Sequence, residues 1–289
     1  MLVIDNYATG RRDNLTESDA GLRVIEGDIA DRALVDESFE AFRPEVVVHA
    51  AAAYKDPDDW AEDVRTNVLG TTHVTNAAQA TGARRLIYLQ TALCYGLHPI
   101  EQPITLDHPL RPGASSYAIS KTAGEQYIAL SGINYQSFRL ANAYGPRNIS
   151  GPLPTFYSRL TSGKPCFVMD TRRDFVYVSD LVDVLERAID GAGRTGPYHV
   201  SSGGDYSIQE LFDATVAAMG ITLEQPVEVR PRGEDDAFTI LLDPTDTQRD
   251  FAWQATVPLE TGVAEAIAYY RTNGITDTYT HLKLDALRA

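Results

Sequence analysis

The sequence predicts an α/β protein with a doubly wound parallel sheet and a second, smaller α+β lobe. Short apolar runs alternate with helix-length segments through the first half of the chain, and Gly or Pro closes several of them. The second half mixes short strands and helices without that alternation. The chain has 289 residues, of which 44% are hydrophobic, so it can bury a full-size core. We expect the sheet domain over residues 1–146, with a return near 174–190, and the smaller lobe mainly over 147–289.

The first half of the chain gives the clearest pattern of elements. The β-branched run Glu45–His49 is typical of a strand buried on both faces, and Pro44 ends the helix before it. Gly27 and Asp28 are typical turn residues and end the predicted strand Leu22–Ile25. The strands predicted here are Leu2–Ile4, Leu22–Ile25, Glu45–His49, Arg85–Leu89 and Tyr135–Leu140. The predicted helices are Ala33–Phe42, Trp60–Ala80 and Ala118–Leu130.

The second half is divided by turn residues such as Gly163-Lys164-Pro165. Its apolar spacing predicts helices at Leu153–Thr161, Ser179–Ile189, Ile208–Met219 and Leu259–Thr272. Its shorter β-branched and aromatic runs predict strands at Phe175–Val178, Tyr198–Ser201, Val227–Val229 and Phe238–Leu242.

The charge of the chain excludes several classes of protein. It has 40 Asp and Glu against 25 Lys and Arg, which gives a net charge of −15. A general nucleic-acid binder needs a basic face, and an electrostatic membrane anchor needs a polybasic segment. No apolar stretch approaches the roughly 18 residues of a spanning helix, and the N-terminal residues lack a signal peptide pattern. We therefore expect a cytoplasmic protein that binds neither nucleic acid nor membrane.

The cysteines and histidines do not indicate a metal site. Cys94 and Cys166 form neither a CxxC pair nor a disulfide framework. The six histidines show no metal-ligand spacing, and His49 is interpreted as a packing residue because it follows an apolar strand. We expect no metal.

Tyr117 and Lys121 form the first candidate site. They are four residues apart at the start of a predicted helix, so they share one helix face. A phenol has an ordinary pKa of about 10, and a nearby ammonium favours the phenolate and lowers that pKa. The pair can therefore act as a general acid/base. The alternative is an ordinary surface Tyr and Lys, since this spacing occurs often by chance.

Thr91 forms the second candidate. It follows the predicted strand Arg85–Leu89, and open α/β sheets bind ligands at the carboxyl ends of their strands. Its hydroxyl can donate to or accept from a substrate hydroxyl. The alternative is a turn threonine.

Several motifs in a fixed order make the chain resemble one family. Together they resemble the extended short-chain dehydrogenase/reductase family, and within it the NAD-dependent nucleotide-sugar epimerases and dehydratases, in particular those of bacterial O-antigen loci. The implied fold is a Rossmann-like sheet. Besides Tyr117-x-x-x-Lys121 and Thr91 before Tyr95-Gly96, the matching segments are Val46–Ala51, Tyr54–Trp60, Asn67–Thr71, Gln90–Gly96, Arg139–Asn148 and Arg173–Val178.

The resemblance implies a role for each matched residue. Tyr117 would be the catalytic acid/base, Lys121 would bind the nicotinamide ribose and lower the pKa of Tyr117, and Thr91 would orient the sugar hydroxyl that is oxidised. NAD would be the cofactor and a UDP-sugar the favoured substrate. A homodimer would pair through the helices Trp60–Ala80 and Ala118–Leu130. The implied cofactor-binding residues are Asp5, Asn6, Asp28, Ile29, Ala50, Ala51, Asn67, Tyr117 and Lys121. The implied substrate-binding residues are Thr91, Asn142, Arg173 and Arg232.

Asp5 bears on the choice between NAD and NADP. A carboxylate at the end of this strand would accept hydrogen bonds from the adenosine ribose hydroxyls and repel a 2′-phosphate, which favours NAD. Arg11 and Arg12 follow closely and leave the choice open.

The implied reaction is epimerisation of a nucleotide-linked sugar through a keto intermediate, in polysaccharide or glycoconjugate biosynthesis. Sugar-nucleotide 4,6-dehydratases of the family carry Asp-Glu after the catalytic threonine, whereas this chain has Ala92 and Leu93. Neither side chain can act as acid or base in the elimination of water. A dehydratase and a degenerate, non-catalytic nucleotide-sugar binding protein remain the alternatives.

The family's glycine-rich GxxGxxG loop and first strand have no counterpart in the sequence, which opens on what resembles the second strand. We therefore expect that Met1 is not the start of the functional protein. In the alternative, the strand Leu2–Ile4 pairs directly with the strand Glu45–His49 and so closes the gap that the missing first strand would leave in the sheet. Gly191–Gly196 fits GxGxxG, but it follows a helix and precedes a strand, so we interpret it as a loop.

Overall fold

The structure, a computed structural model of the chain, describes residues 1–15, 21–113, 115–233 and 236–279. The chain folds into two compact units. The first consists of Met1–Cys94, Pro112–Arg139 and Gly193–Pro197, and the second of Tyr95–Arg111, Leu140–Ala192 and the described residues from Tyr198 onward.

The strands and helices alternate through the first half, as predicted. The strands are β1 (Leu2–Asp5), β2 (Arg23–Glu26), β3 (Val46–His49), β4 (Arg85–Thr91), β5 (Tyr135–Leu140), β6 (Asn142–Tyr144), β7 (Phe167–Met169), β8 (Arg172–Arg173), β9 (Phe175–Tyr177), β10 (Gly196–Val200), β11 (Tyr206–Ser207) and β12 (Glu228–Arg230). The helices are α1 (Arg32–Phe42), α2 (Trp60–Asp63), α3 (Thr71–Thr81), α4 (Ser116–Ser131), α5 (Pro152–Thr161), α6 (Val178–Ile189), α7 (Ile208–Met219), α8 (Thr245–Phe251) and α9 (Leu259–Asn273).

The main sheet has the strand order β10-β5-β4-β3. β3 and β4 run parallel, with Val46 opposite Arg85 and His49 opposite Tyr88. Asp31 starts α1 by accepting hydrogen bonds from two backbone amides, and Gly82 ends α3 in the left-handed conformation that glycine adopts at low cost. The α/β fold with a parallel sheet is confirmed.

β1 does not pair with β3. It forms a separate two-stranded parallel sheet with β2, in which Leu2 lies opposite Arg23 and Asp5 opposite Glu26. The alternative in which Leu2–Ile4 closes onto Glu45–His49 is therefore wrong for the described residues. β3 has β4 as its partner in the other sheet, and β2 is the partner of β1.

The predicted helix Trp60–Ala80 is interrupted. α2 ends at Asp63, a π-helical turn occupies Val64–Gly70, and α3 starts at Thr71. The wider turn is typical of functional regions, and here it carries Asn67, one of the predicted cofactor-binding residues.

The second unit has its own core, formed mainly by β9, α5, α7 and α9 around buried aromatic side chains such as Phe156 and Phe212. The predicted strand Phe238–Leu242 is wrong. Phe238 accepts one hydrogen bond from the Arg172 amide of β8, and Leu241 accepts one from the Ile104 amide, with an isolated bridge between Ile104 and Leu242, so the segment makes single contacts and no continuous ladder with the described residues. The prediction that Gly191–Gly196 is a loop is confirmed, since it joins α6 to β10.

No helix within the described ranges combines the length and the apolar character that crossing a membrane would require. Those same residues contain no group of three or more His, Cys, Asp or Glu side chains that could hold a metal ion.

Candidate active site

The first turn of α4 carries Tyr117, and the end of β4 carries Thr91, in two elements that pack against each other. Ser115 starts α4, because its hydroxyl oxygen accepts a hydrogen bond from the backbone amide of Ala118 at 3.4 Å. The Thr91 hydroxyl oxygen accepts from the amide of Leu93 at 3.2 Å, which fixes the turn after β4. Thr91 and Tyr117 are both half-buried.

Lys121 is buried, with only 1% of its surface exposed. Its ammonium nitrogen lies 4.0 Å from the centroid of the Tyr88 ring on β4, a favourable cation–π contact. Burial lowers the pKa of Lys121 to about 7, while the nearby charge of Glu125 acts in the opposite direction. Near neutral pH the ammonium can therefore lose its proton inside the protein, which an exposed lysine does not do.

The structure places Tyr117 in a setting that disfavours its phenolate. Burial raises the pKa of Tyr117, and the Tyr54 ring, 6.0 Å away between centroids, and the Asp63 carboxyl raise it further. That Lys121 lowers this pKa stays a prediction, since burial, Tyr54 and Asp63 are the causes that shift it in the structure. The Lys121 ammonium lies over Tyr88 instead, and its own low pKa weakens the charge that it could supply.

His49 is buried against the Tyr88 ring, 5.3 Å away between ring centroids. Its Nε2 is 2.8 Å from the hydroxyl oxygen of Thr71. Burial lowers the pKa of His49 to about 3, and the Lys121 charge adds to this effect, so the imidazole is neutral at ordinary pH. The arrangement is that of a packing histidine, in agreement with the sequence interpretation.

Asn67 fastens the loop that follows β3. Its amide oxygen accepts from the backbone amide of Ala53 and its amide nitrogen donates to the Ala53 carbonyl, both at 2.9 Å. The same nitrogen donates to the Ser120 hydroxyl on α4 at 3.0 Å. Asn67 thus holds the Ala50–Ala53 backbone against α4. Ala50 is exposed and Ala51 half-buried, and their methyl groups leave this backbone approachable.

Asp5 is the last residue of β1, and Asp28 lies two residues beyond the end of β2. Asp5 accepts a hydrogen bond from the Tyr7 amide at 2.7 Å, and a Cβ at Gly10 would lie 3.1 Å from its other oxygen, so the loop passes close to this carboxylate. Burial alone would raise the pKa of Asp28, but hydrogen bonds from the Ala30 amide and Arg65 lower it.

Asn6 and Ile29 flank these carboxylates. Asn6 donates to Asp28 at 3.4 Å, which connects the two strand ends. The Ile29 side chain is buried in the core of the first unit, so only its backbone is left to border a ligand there.

Arg11 and Arg12 both have carboxylate partners. Arg11 makes two hydrogen bonds to Asp13, at 2.7 and 2.9 Å. Arg12 forms a bidentate pair with Glu26, and its guanidinium lies 4.3 Å from the centroid of the Tyr7 ring. Their charges are therefore balanced by neighbouring acids.

In the second unit, Arg173 and Arg232 come together at one segment. The Arg173 guanidinium pairs with the Asp236 carboxylate and donates to the Ala237 carbonyl at 3.0 Å. Arg232 donates to the backbone carbonyl of Asp236, also at 3.0 Å. The side-chain amide nitrogen of Asn142 donates to the carbonyl of Asp174, the residue after Arg173, at 3.1 Å.

Sequence reasoning missed three acidic residues of these regions, namely Asp63, Glu125 and Asp236. Glu125 accepts hydrogen bonds from Gln90 at 2.9 Å and from Arg139 at 2.8 Å, and all three side chains are buried. Its position four residues after Lys121 on the same helix face could have indicated it. Asp63 and Asp236 stand in acidic runs, and nothing in the sequence separates them from their neighbours.

Comparison with known proteins assigns the family. The profile of the NAD dependent epimerase/dehydratase family matches residues 2–201. The chain belongs to this family. The resemblance inferred from the motifs is thereby confirmed.

The solved structures that the chain resembles include two enzymes of Bordetella bronchiseptica. WbmH in complex with NAD+ is 51% identical, with 95% of this chain and 91% of that one covered and a TM-score of 0.91. WbmG in complex with NAD and UDP is 46% identical, with 98% and 90% covered and a TM-score of 0.90.

Curated relatives include enzymes of two different reactions. UDP-glucose 4-epimerase of Mycolicibacterium smegmatis is 32% identical, and the match covers 94% of this chain and 90% of the relative. dTDP-glucose 4,6-dehydratase of an Actinoplanes species is also 32% identical, with 94% and 88% covered. The family membership therefore leaves the reaction itself open between epimerisation and dehydration.

Proposed function

We propose that the protein epimerises a UDP-linked sugar through a keto intermediate, with NAD as cofactor, in polysaccharide or glycoconjugate biosynthesis. The observation that carries this proposal is the combination of the Tyr117 and Lys121 pair on α4 with Ala92 and Leu93 after Thr91. Hydroxyl oxidation needs an acid/base, which Tyr117 supplies. Elimination of water needs a further acid and base, which Ala92 and Leu93 cannot supply.

The residues at the ends of β1, β2 and β3 fit NAD. Asp5 keeps a half-buried carboxylate at the end of β1, suited to accept hydrogen bonds from ribose hydroxyls. Arg11 and Arg12 are engaged by Asp13 and Glu26, so they offer little to a 2′-phosphate. WbmH and WbmG were solved with NAD+ and NAD respectively, which supports the same cofactor here.

The chain's own groups then have distinct tasks. Tyr117 takes the proton from the sugar hydroxyl and later returns it, and Thr91 orients that hydroxyl. Lys121 binds the nicotinamide ribose. NAD+, when bound, accepts hydride from the hydroxyl-bearing carbon and gives it back to the opposite face of the ketone. The reaction leaves no net change in redox state, so the cofactor need not dissociate between turnovers.

The nucleotide is assigned to uridine diphosphate on the strength of WbmG, solved with UDP, and of the arginines in the second unit. A guanidinium suits a diphosphate because it is permanently charged and bidentate. Arg173 and Arg232 share the Asp236 segment and are the groups proposed to hold it. Since Asp236 now occupies the Arg173 guanidinium, the diphosphate would have to replace that carboxylate.

We also propose a homodimer that pairs through α2, the π-helical turn and α4. Six large apolar side chains of these elements are exposed in the single chain. They are Trp60, Val64, Leu69, Ile119, Tyr127 and Leu130, with exposed fractions of 67%, 55%, 45%, 48%, 49% and 79%. Several exposed large apolar side chains on neighbouring helical elements are typical of a protein interface.

The experiment that tests the function is incubation of the purified protein and NAD+ with a panel of UDP- and dTDP-sugars, followed by NMR. We expect an isomeric UDP-sugar to appear, and none of it with Tyr117→Phe. A product that has lost water would instead support a nucleotide-sugar dehydratase, the alternative that the Actinoplanes relative favours. Turnover of no sugar would contradict both.

The cofactor assignment gives a separate prediction. Asp5→Asn removes the charge that repels a 2′-phosphate, so we expect the preference for NAD+ over NADP+ to shrink by about tenfold, the size of one charged hydrogen bond. Dissociation constants for both cofactors check it. Asp36→Asn is the matched control, because Asp36 is an exposed acid that pairs with Arg32 on α1. An unchanged ratio in Asp5→Asn would contradict the role of Asp5.

A further inference from the structure

Asp63 is a buried carboxyl group next to the first turn of α4. It is the last residue of α2, which packs against α4, and only 2% of its surface is exposed. Its Oδ2 is buried and has no hydrogen-bond partner among the described residues. A carboxylate oxygen left without a partner in such a place is costly, so its retention points to a use.

The groups that face Asp63 are mostly acids. Glu62 on its own helix, Asp59 just before that helix and Asp56 on the preceding loop are like charges. Ser116 on α4 is the hydrogen-bonding neighbour that favours the charged form of Asp63. Burial is the main cause that raises the pKa of Asp63. The hydrogen bond with Ser116 opposes this shift, and the three neighbouring acids add to it.

Arg65, two residues after Asp63 in the chain, pairs with other carboxylates. Arg65, on the π-helical turn, directs its guanidinium to Asp28 at 2.7 Å and to Glu62 at 3.2 Å. The negative charge of Asp63 is thus left to act on α4.

Tyr117 is the titratable group of α4 on which this charge acts. Among the described residues, the titratable groups that act on Tyr117 are Tyr54 from the loop after β3, Tyr88 from β4 and Asp63 from α2, while Lys121, one turn later on α4, lies over the Tyr88 ring. Asp63 is the one acid among them, and it disfavours the phenolate. Charges that are buried together are screened little by salt or water, so this effect persists at physiological ionic strength.

We propose that Asp63 is a positioning residue for the reaction, whose buried carboxylate sets the pH range in which Tyr117 can take a proton from the sugar. This inference rests on the proposed function. While Asp63 is ionised, Tyr117 is held in its neutral, proton-donating form. When Asp63 binds a proton, the phenolate becomes easier to form, so the two groups compete for negative charge.

A purely structural role for Asp63 makes a different prediction. An anion beside a helix N-terminus interacts favourably with the helix dipole and would stabilise α4. Its removal would then lower the melting temperature and leave the pH dependence of turnover unchanged.

The test is the pH profile of kcat for Asp63→Asn. We expect its acidic limb, which reports loss of the Tyr117 proton, to move to lower pH by about one unit, the typical effect of a nearby charge. Asp63→Glu restores the charge and should keep the limb near its wild-type position. Asp58→Asn is the matched control, because it removes an equal charge from the exposed part of the same segment. A limb at the same pH in Asp63→Asn and wild type would overturn the proposal.

A second readout does not depend on turnover. The near-ultraviolet phenolate band of Tyr117 is obtained by subtracting the titration of Tyr117→Phe from that of wild type, and likewise in the Asp63→Asn background. The band should appear at lower pH when Asp63 is replaced, and Asp63→Ala serves if the Asn variant does not fold. Equal bands over the pH range in which the proteins stay folded would overturn the proposal. If no sugar of the panel is turned over but the phenolate band is shifted, the proposed function is wrong and the effect of Asp63 on Tyr117 stands.

Discussion

Tyr117→Phe is expected to abolish turnover while the protein still binds NAD+ and UDP. The substitution removes one hydroxyl oxygen, the atom that exchanges a proton with the sugar, and leaves the ring in place. Positioned general acid/base catalysis contributes about a hundredfold to ten-thousandfold, and we expect a loss of kcat in that range. Stopped-time NMR assays and calorimetric titration of NAD+ and UDP provide the two measurements.

Tyr127→Phe is the control for this experiment. Tyr127 lies on the same helix, ten residues after Tyr117, and only its hydroxyl is removed, so we expect kcat to stay unchanged if the side chain is confined to the proposed dimer face. If Tyr117→Phe retains wild-type kcat, Tyr117 is not the acid/base and the mechanism proposed above is wrong.

Glu125→Ala is expected to cost about 3–5 kcal/mol of the free energy of unfolding, the typical cost of removing one partner of a buried ion pair. The side chains of Glu125 and Arg139 are only 5% and 7% exposed and lie 2.8 Å apart between Oε1 and Nη2. Without Glu125 the guanidinium charge of Arg139 loses this carboxylate inside the protein. Denaturant unfolding monitored by circular dichroism measures the loss.

Two further variants distinguish the loss of the buried ion pair from the mere loss of a carboxylate side chain. Glu40→Ala removes a carboxylate whose pair with Arg43 is largely exposed, and it should change stability by less than about 1 kcal/mol. The double variant Glu125→Leu with Arg139→Met replaces both charges by apolar groups and should be far less harmful than Glu125→Ala. Equal losses in the single and double variants would contradict the ion-pair explanation.

Most strands of the first half, and the placement of Tyr117 and Lys121 on one helix, could be predicted from the sequence. Parallel strands are buried on both faces, so their apolar runs are visible in the sequence, and a spacing of four residues places two side chains on one helix face. The interruption at Val64–Gly70 was not predicted, because Trp60–Ala80 was interpreted as one continuous helix.

The electrostatics of the site could not be predicted from spacing. Lys121 was expected to lower the pKa of Tyr117, but its charge depends on burial and on the Tyr88 ring, which β4 supplies from far along the chain. The partner of Glu125 is likewise fourteen residues away on β5. Such pairings are set by tertiary packing.

The measurement that tests the central claim most directly is the fate of a UDP-sugar incubated in D2O with the protein and NAD+, followed by NMR and mass spectrometry of the product. The account predicts a UDP-sugar with one inverted stereocentre, no loss of water and no accumulation of NADH, because Tyr117 and Lys121 support oxidation and reduction but Ala92 and Leu93 cannot support elimination. A deoxy-keto sugar that has lost water and carries solvent deuterium would contradict it.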